Sequence, residues 1–154
     1  MNAYDSFFRN IADENWEFFA TDVLNSLGFT IIEYPSRGPD GGKDSIVERE
    51  GIRYIVSCKH FYCSGRAVGV SDEESITDRI NQHDAQGFIG FYSTVISSSL
   101  SSRMSALEQK EYKFKVYDRD FISDLLPVIP SWVLQKLKWS SKIGHRFVFI
   151  IKSA

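Results

Sequence analysis

The stretch GPDGGKDSIVEREGIRYIVSCKH, residues 38–60, contains three side chains whose types suit phosphate chemistry. Asp40 and Asp44 stand among glycines at its start, and Lys59 stands near its end. Carboxylate oxygens are ligands that Mg²⁺ takes in proteins, and a lysine near the ion can stabilise charge developing on a phosphate. We therefore expect a metal-assisted phosphoryl site if the fold brings these groups together.

Two strand-like segments flank a tight turn at Glu50-Gly51, and together they predict a β-hairpin. A turn centred there pairs positions whose numbers sum to 101, which sets Asp44 opposite Ser57 with both side chains on one face. Lys59 lies two residues further along that face and is the diagonal neighbour of Asp44. The hairpin thus predicts an acid and an amine side by side.

A first helix is predicted from about Asp5 to Leu27, because apolar residues recur there at helical spacing. Glu17 stands beside the apolar stripe that includes Ala20 and Leu24. A carboxylate in that position is costly unless it is paired or bound to a metal, so we expect Glu17 to join the hairpin site. The opposite, apolar face of the hairpin suits packing against a helix and carries Tyr54, Val56 and Cys58.

The remaining pattern predicts a single α/β domain with a mixed sheet and the element order α-β-β-β-α-β-α-β-α-α-β. Ser71 and Glu74 form an S-x-x-E capping box, which predicts a helix running to about His83 or Asp84 and closed by Gly87. The last predicted elements are a short helix after Pro130 and the strand HRFVFIIK at residues 145–152.

The segments NWEFFATDVLNSLGF, GPDGGKD, VSCKH and GFIGFYST occur in an order that resembles the Mrr-like branch of the PD-(D/E)xK nuclease superfamily. The resemblance covers residues 14 to about 126 and implies the restriction-endonuclease-like fold, whose core is α-β-β-β-α-β with a mixed central sheet flanked by helices. It also implies an endonuclease that cleaves DNA with Mg²⁺ or Mn²⁺, in restriction or another defence against foreign DNA.

The resemblance also implies roles for individual residues. Asp44 would bind the metal, with Glu17 assisting and the backbone carbonyl of Cys58 as a further ligand. Lys59 would be the catalytic lysine that orients or deprotonates the attacking water. Asp40 matches the first aspartate of the glycine-rich segment and would support the metal ligands without binding the ion itself.

Ser57 departs from the resemblance, because the family usually has Glu or Gln at that position. A serine hydroxyl is a short, neutral and weak ligand for Mg²⁺, so the metal would keep more water, and Glu17 or Asp40 could offset the missing ligand. Two alternatives stay open. The chain could be a degenerate nuclease fold that binds nucleic acid or a partner protein without cutting, or an unrelated α/β interaction module in which Asp44 and Lys59 only form an ion pair.

Net charge is −2 with a pI near 5.9, so general attraction to polyanions cannot explain nucleic-acid binding. Any such contact has to be local or metal-assisted. Basic side chains on loops near the expected site could contact a phosphate backbone, although the alternative is an ordinary solvated rim. These residues are Arg37, Lys43, His60, Arg66 and Arg79.

The 154 residues fit one domain. Cys58 and Cys63 lie too close in sequence for a disulfide framework, which favours a reducing cytoplasm, and with His60 they make only three candidate zinc ligands. We expect no membrane segment and no signal peptide. A homodimer would be natural for cutting both strands of DNA, and a partner protein or larger defence complex is left open.

Overall fold

The computed structural model describes residues 4–36 and 45–137. The strands are β1 Thr30–Glu33, β2 Ser45–Arg49, β3 Ile52–Lys59, β4 Gly87–Tyr92 and β5 Lys113–Tyr117. The helices are α1 Asp5–Asn10, α2 Asp13–Ser26, α3 Ile76–Gln82, α4 Ser98–Glu108, α5 Arg119–Leu125 and α6 Ser131–Gln135.

The five strands form one mixed sheet in the order β1-β2-β3-β4-β5. The first two pairs are antiparallel, and the last two are parallel because α3 and α4 cross over between their strands. The predicted α/β class with a mixed sheet flanked by helices is confirmed. The predicted final strand at 145–152 lies outside the described residues, and none of the described helices has the length and apolar character needed to span a bilayer.

The sheet separates two apolar cores. One core joins α1, α2, α5 and α6 to the face that carries Val56 and Phe91. The other joins α3 and α4 to the face that carries Ile55 and Phe88. As predicted, Tyr54, Val56 and Cys58 face the core that contains α2, so alternation places Ser57 and Lys59 on the α3 and α4 side.

The hairpin turn confirms the predicted register. Glu50 and Gly51 both have positive φ, at 54° and 79°, as the two central residues of a type I′ turn do. Ser45 pairs with Val56 across the hairpin, so opposed positions follow the expected sum. Asp44, one residue before β2, lies outside the described residues.

The predicted first helix is in fact two helices, α1 and α2, separated at Ile11 and Ala12. Ile11 is extended, with φ −79° and ψ 127°, and its carbonyl oxygen accepts a hydrogen bond from His60 Nε2 at 2.9 Å. The spacing of apolar residues could not predict this break. The group that binds the Ile11 carbonyl is His60, which directly follows β3 and is distant from Ile11 in the sequence.

The capping box predicted at Ser71 and Glu74 does not start a helix. A 3-10 turn occupies Val70–Asp72, and α3 begins only after Ser75, which has φ 58°. The intervening residue, Glu73, has its side chain fully buried, and this burial accompanies the irregular backbone. Gly87 opens β4 and does not end the preceding helix, which stops at Gln82.

Candidate active site

Lys59 ends β3 on the sheet face that packs against α3 and α4. Its side chain is 29% exposed, and its Nζ lies 4.0 Å from Oε1 of Glu73. Ser57, two residues earlier on the same face, is buried. The Lys59 amine is therefore held beside a carboxylate that sequence analysis did not select.

Glu73 is the centre of a polar group that we call the Glu73 cluster: Ser57, Lys59, Glu73, Arg79 and Tyr92. Its carboxylate accepts hydrogen bonds from Ser57 Oγ at 2.8 Å and Arg79 Nη1 at 3.2 Å on Oε1, and from the Tyr92 hydroxyl at 2.6 Å on Oε2. A carboxylate with no solvent exposure is tolerated only when such donors replace water. Both Glu73 oxygens therefore accept hydrogen bonds, and the cluster is a polar group on an otherwise apolar face of the sheet.

Parallel pairing of β3 with β4 sets the geometry of the cluster. Ser57 pairs with Gly90, and Lys59 pairs with Tyr92. A Cβ built on Gly90 would lie 2.4 Å from Tyr92 Cζ, so the glycine leaves the space that the phenol ring occupies on its way to Glu73. Burial, and secondarily the Glu73 carboxylate, raises the pKa of Tyr92, so its hydroxyl remains a donor.

One carboxylate in the cluster faces two cations, Lys59 and Arg79. The two cationic side chains are 29% and 23% exposed, whereas the Glu73 side chain is fully buried. The two cationic groups therefore lie between the buried carboxylate and the solvent. A hollow of about 450 Å³ adjoins Glu73 and is lined by Val70, Ser71, Glu73, Glu74, Ser75 and Arg103.

Glu17 lies on the opposite side of the sheet from Lys59. Its helix, α2, contacts the start of β2, where Thr21 Oγ1 lies 3.1 Å from Ser45 Oγ and donates to the Glu17 carbonyl at 2.9 Å. Glu17 is thus one helical turn before Thr21, the residue that contacts the start of β2. Because the sheet lies between them, Glu17 and Lys59 could share a site only around the ends of the strands.

The residues expected to bind a metal are only partly described. Asp40 and Asp44 lie outside the described residues, and within 4–36 and 45–137 no three His, Cys, Asp or Glu side chains are grouped to share an ion. Of the expected ligands, the Glu17 carboxylate and the Cys58 carbonyl are among the described residues, and oxygen donors of this kind suit a hard cation. The expected metal site therefore depends on Asp44.

The predicted phosphate contacts occupy different environments. Arg66 is 54% exposed, and its Nη1 donates to Asp72 at 2.8 Å, which holds the pKa of that carboxyl below its usual value. Arg79 belongs to the Glu73 cluster. Arg37 and Lys43 lie outside the described residues.

His60 is held inside the fold. Its Nε2 donates to Ile11, so in the neutral ring Nδ1 accepts from the Ser93 hydroxyl at 2.8 Å, and the ring stacks on Trp16 with centroids 4.8 Å apart. Burial lowers the pKa of His60. Both ring nitrogens are engaged by protein atoms, which gives His60 a structural role in this arrangement.

Comparison with known proteins informs the fold alone. No family model and no curated protein matches the chain. Among solved structures, it is similar to the crystal structure of a protein of unknown function, AF1548, with a TM-score of 0.55 and 13% identity over 96% of each chain. Identity at this level indicates a shared α/β architecture and carries no information on activity.

Proposed function

We propose that this protein is a metal-dependent endonuclease that cleaves DNA phosphodiester bonds, in restriction or another defence against foreign DNA. The observation that carries the proposal is the position of Lys59 at the end of β3, on the face that alternation also assigns to Asp44, within an α2-β1-β2-β3-α3-β4 order. This order agrees with the restriction-endonuclease-like core that the sequence motifs imply.

Each proposed role follows from the chemistry of the group. Asp44, Glu17 and the Cys58 carbonyl would hold Mg²⁺ or Mn²⁺, with Asp40 supporting them, and the bound ion supplies Lewis acidity at the phosphate. Lys59 orients the attacking water and stabilises negative charge on the phosphate. Arg66 and Arg79, with Arg37 and Lys43, would contact the DNA backbone in a cytoplasmic homodimer or larger complex.

Incubation of purified protein with supercoiled plasmid tests the proposal. We expect nicked and linear DNA with Mg²⁺ or Mn²⁺ and none with EDTA. Lys59→Ala and Asp44→Ala should each lower cleavage roughly 100-fold or more, because the first removes a cation beside the reacting phosphate and the second removes a ligand of the metal ion.

Lys110→Ala is the matched control, because this lysine is exposed in the turn after α4. Thermal unfolding should show that all variants fold. Cleavage by the folded Lys59→Ala variant at the wild-type rate would reject the catalytic role of Lys59.

A second candidate is a fold that binds nucleic acid or a partner protein without cutting. Ser57 favours it, because β3 carries no carboxylate next to Lys59 and Glu73 already has three hydrogen-bond donors. Mobility-shift binding of DNA without cleavage at any Mg²⁺ or Mn²⁺ concentration would support this candidate over the nuclease.

A further inference from the structure

A second hollow, which we call the Asp22 hollow, lies on the side of the sheet that packs against α2 and α6. Its volume is about 360 Å³. Small-molecule sites occupy roughly 300–1,000 Å³, so this hollow can hold a small ligand. The lining side chains that matter for its chemistry are Glu14, Phe18, Asp22, Tyr34 and Lys136. Sequence analysis selected none of them as a site residue.

Asp22 places a carboxylate on the inner wall of this hollow. Its side chain is 6% exposed. Its Oδ1 accepts the Tyr34 hydroxyl at 3.4 Å and lies 3.6 Å from Lys136 Nζ, and both contacts are long for hydrogen bonds. Burial raises the pKa of Asp22, although Lys136 and Tyr34 oppose this rise. The partners of Asp22 therefore stabilise its charged form incompletely.

The second oxygen of Asp22 is accessible to a ligand. Within residues 4–36 and 45–137, no donor forms a hydrogen bond with Oδ2. In the same ranges, no fully enclosed side-chain oxygen lacks a hydrogen-bond partner, so Oδ2 is not enclosed and is reached from the hollow. Buried polar atoms in proteins are nearly always hydrogen bonded. An N–H donor of a ligand would complete this carboxylate.

The charges and rings of the hollow favour a cation. Lys136 balances one carboxylate, but Glu14, about two helical turns before Asp22 on the same face of α2, forms no ion pair within the described part of the chain. One negative charge therefore remains. The rings of Phe18 and Tyr34, with centroids 6.3 Å apart and planes inclined by 28°, line the same space, and aromatic faces attract cations.

We propose that the Asp22 hollow binds a small organic amine in its ammonium form, with Asp22 Oδ2 as the main acceptor and the rings of Phe18 and Tyr34 as walls. Lys136 then competes with the ligand for the same carboxylate. A metal ion fits less well, because no three acidic, histidine or cysteine side chains are grouped among the described residues. The site is separate from the proposed DNA cleavage, which uses none of these side chains.

Titration of the ¹⁵N-labelled protein with n-butylamine, followed by amide chemical shifts, tests the proposal at pH 7.5. We expect shifts around the Asp22 hollow that saturate, whereas n-butanol, which has the same chain and no charge, should cause none there. Asp22→Asn should weaken butylamine binding roughly 10-fold or more, because it removes the charged acceptor and keeps its shape. Glu108→Gln, an exposed acid at the end of α4, is the matched control and should bind like wild type.

Lys136→Met gives a second test that does not disturb a buried group, because the Lys136 side chain is 54% exposed. It removes the competing ammonium and should tighten butylamine binding several-fold. Circular dichroism should show that each variant folds, and if Asp22→Asn does not, Lys136→Met decides. The proposal is overturned if wild type shows no saturable shifts at the hollow, if folded Asp22→Asn binds as tightly as wild type, or if Lys136→Met binds no more tightly.

Discussion

At the scale of single residues, the absence of a side chain at Gly90 matters as much as the carboxylate of Glu73. Gly90 pairs with Ser57 in the sheet, and the Tyr92 ring passes over it to reach Glu73. Since Tyr92 is fully buried, the ring has little room to move aside. The Glu73 cluster therefore depends on a residue that makes none of its hydrogen bonds.

Gly90→Ala should displace the Tyr92 ring and break its hydrogen bond to Glu73. We expect a loss of about 1–3 kcal/mol in the free energy of unfolding, which is typical of overpacking in a buried site. Urea denaturation followed by circular dichroism measures this loss. Gly69→Ala is the control, because a Cβ there meets Asp72 Oδ2 only at 3.7 Å; equal stability of the two variants would contradict the proposed crowding.

Sequence could predict Lys59 and Ser57 but not Glu73. The first two follow from strand alternation once the turn is located. Glu73 stands in an irregular segment, where neither periodicity nor a motif fixes the direction of a side chain. The available signal, an S-x-x-E box beginning at Ser71, pointed to Glu74 and to a helix start that does not form.

At the scale of elements, strands were predictable because their patterns are local. The runs that form β1 to β5 are rich in β-branched and aromatic residues, and Glu50-Gly51 fixes the hairpin register. The break between α1 and α2 was not predictable. It depends on His60, which is 49 residues away from Ile11 in the chain.

His60 should make stability depend on pH, because it links the α1–α2 break to the end of β4 through Ser93. Burial lowers the pKa of His60 in the folded state, so the unfolded chain binds more protons on this residue. Its contribution to stability is complete above the unfolded pKa of about 6.5 and is lost as the pH falls below that value toward the folded pKa.

Thermal melts from pH 8 to pH 5 check this expectation. His60→Gln should melt at a lower temperature than wild type at pH 8, and the difference should shrink as the pH falls. His83→Gln, at the end of α3, serves as the control. A gap between wild type and His60→Gln that stays constant across this range would show that His60 does not carry the effect.

At the scale of the whole molecule, charge limits how DNA could be bound. The chain has 18 Lys and Arg against 20 Asp and Glu, so binding has to come from a local group of cations. Among the described residues, Lys59, Arg66 and Arg79 lie near the end of β3 or in the connection from β3 to β4. The proposed interface is therefore small.

A small interface predicts a modest salt dependence. With four or five phosphate contacts, log Kd for duplex DNA should change with log salt concentration by about 4, since each neutralised phosphate contributes roughly 0.9. Fluorescence anisotropy between about 50 and 200 mM salt with EDTA present measures the slope. Arg66→Ala should reduce it by about 1, and an unchanged slope would remove Arg66 from the interface.

The acid at the centre of the cluster is delivered by the connection between β3 and β4, not by the hairpin that carries the lysine. Hairpins close through contacts that are near in sequence, whereas this connection docks only when the parallel pair forms. A ribosome-bound or half-folded chain would thus expose Lys59 without its partner. The ion pair between Lys59 and Glu73 therefore forms late, together with the parallel half of the sheet.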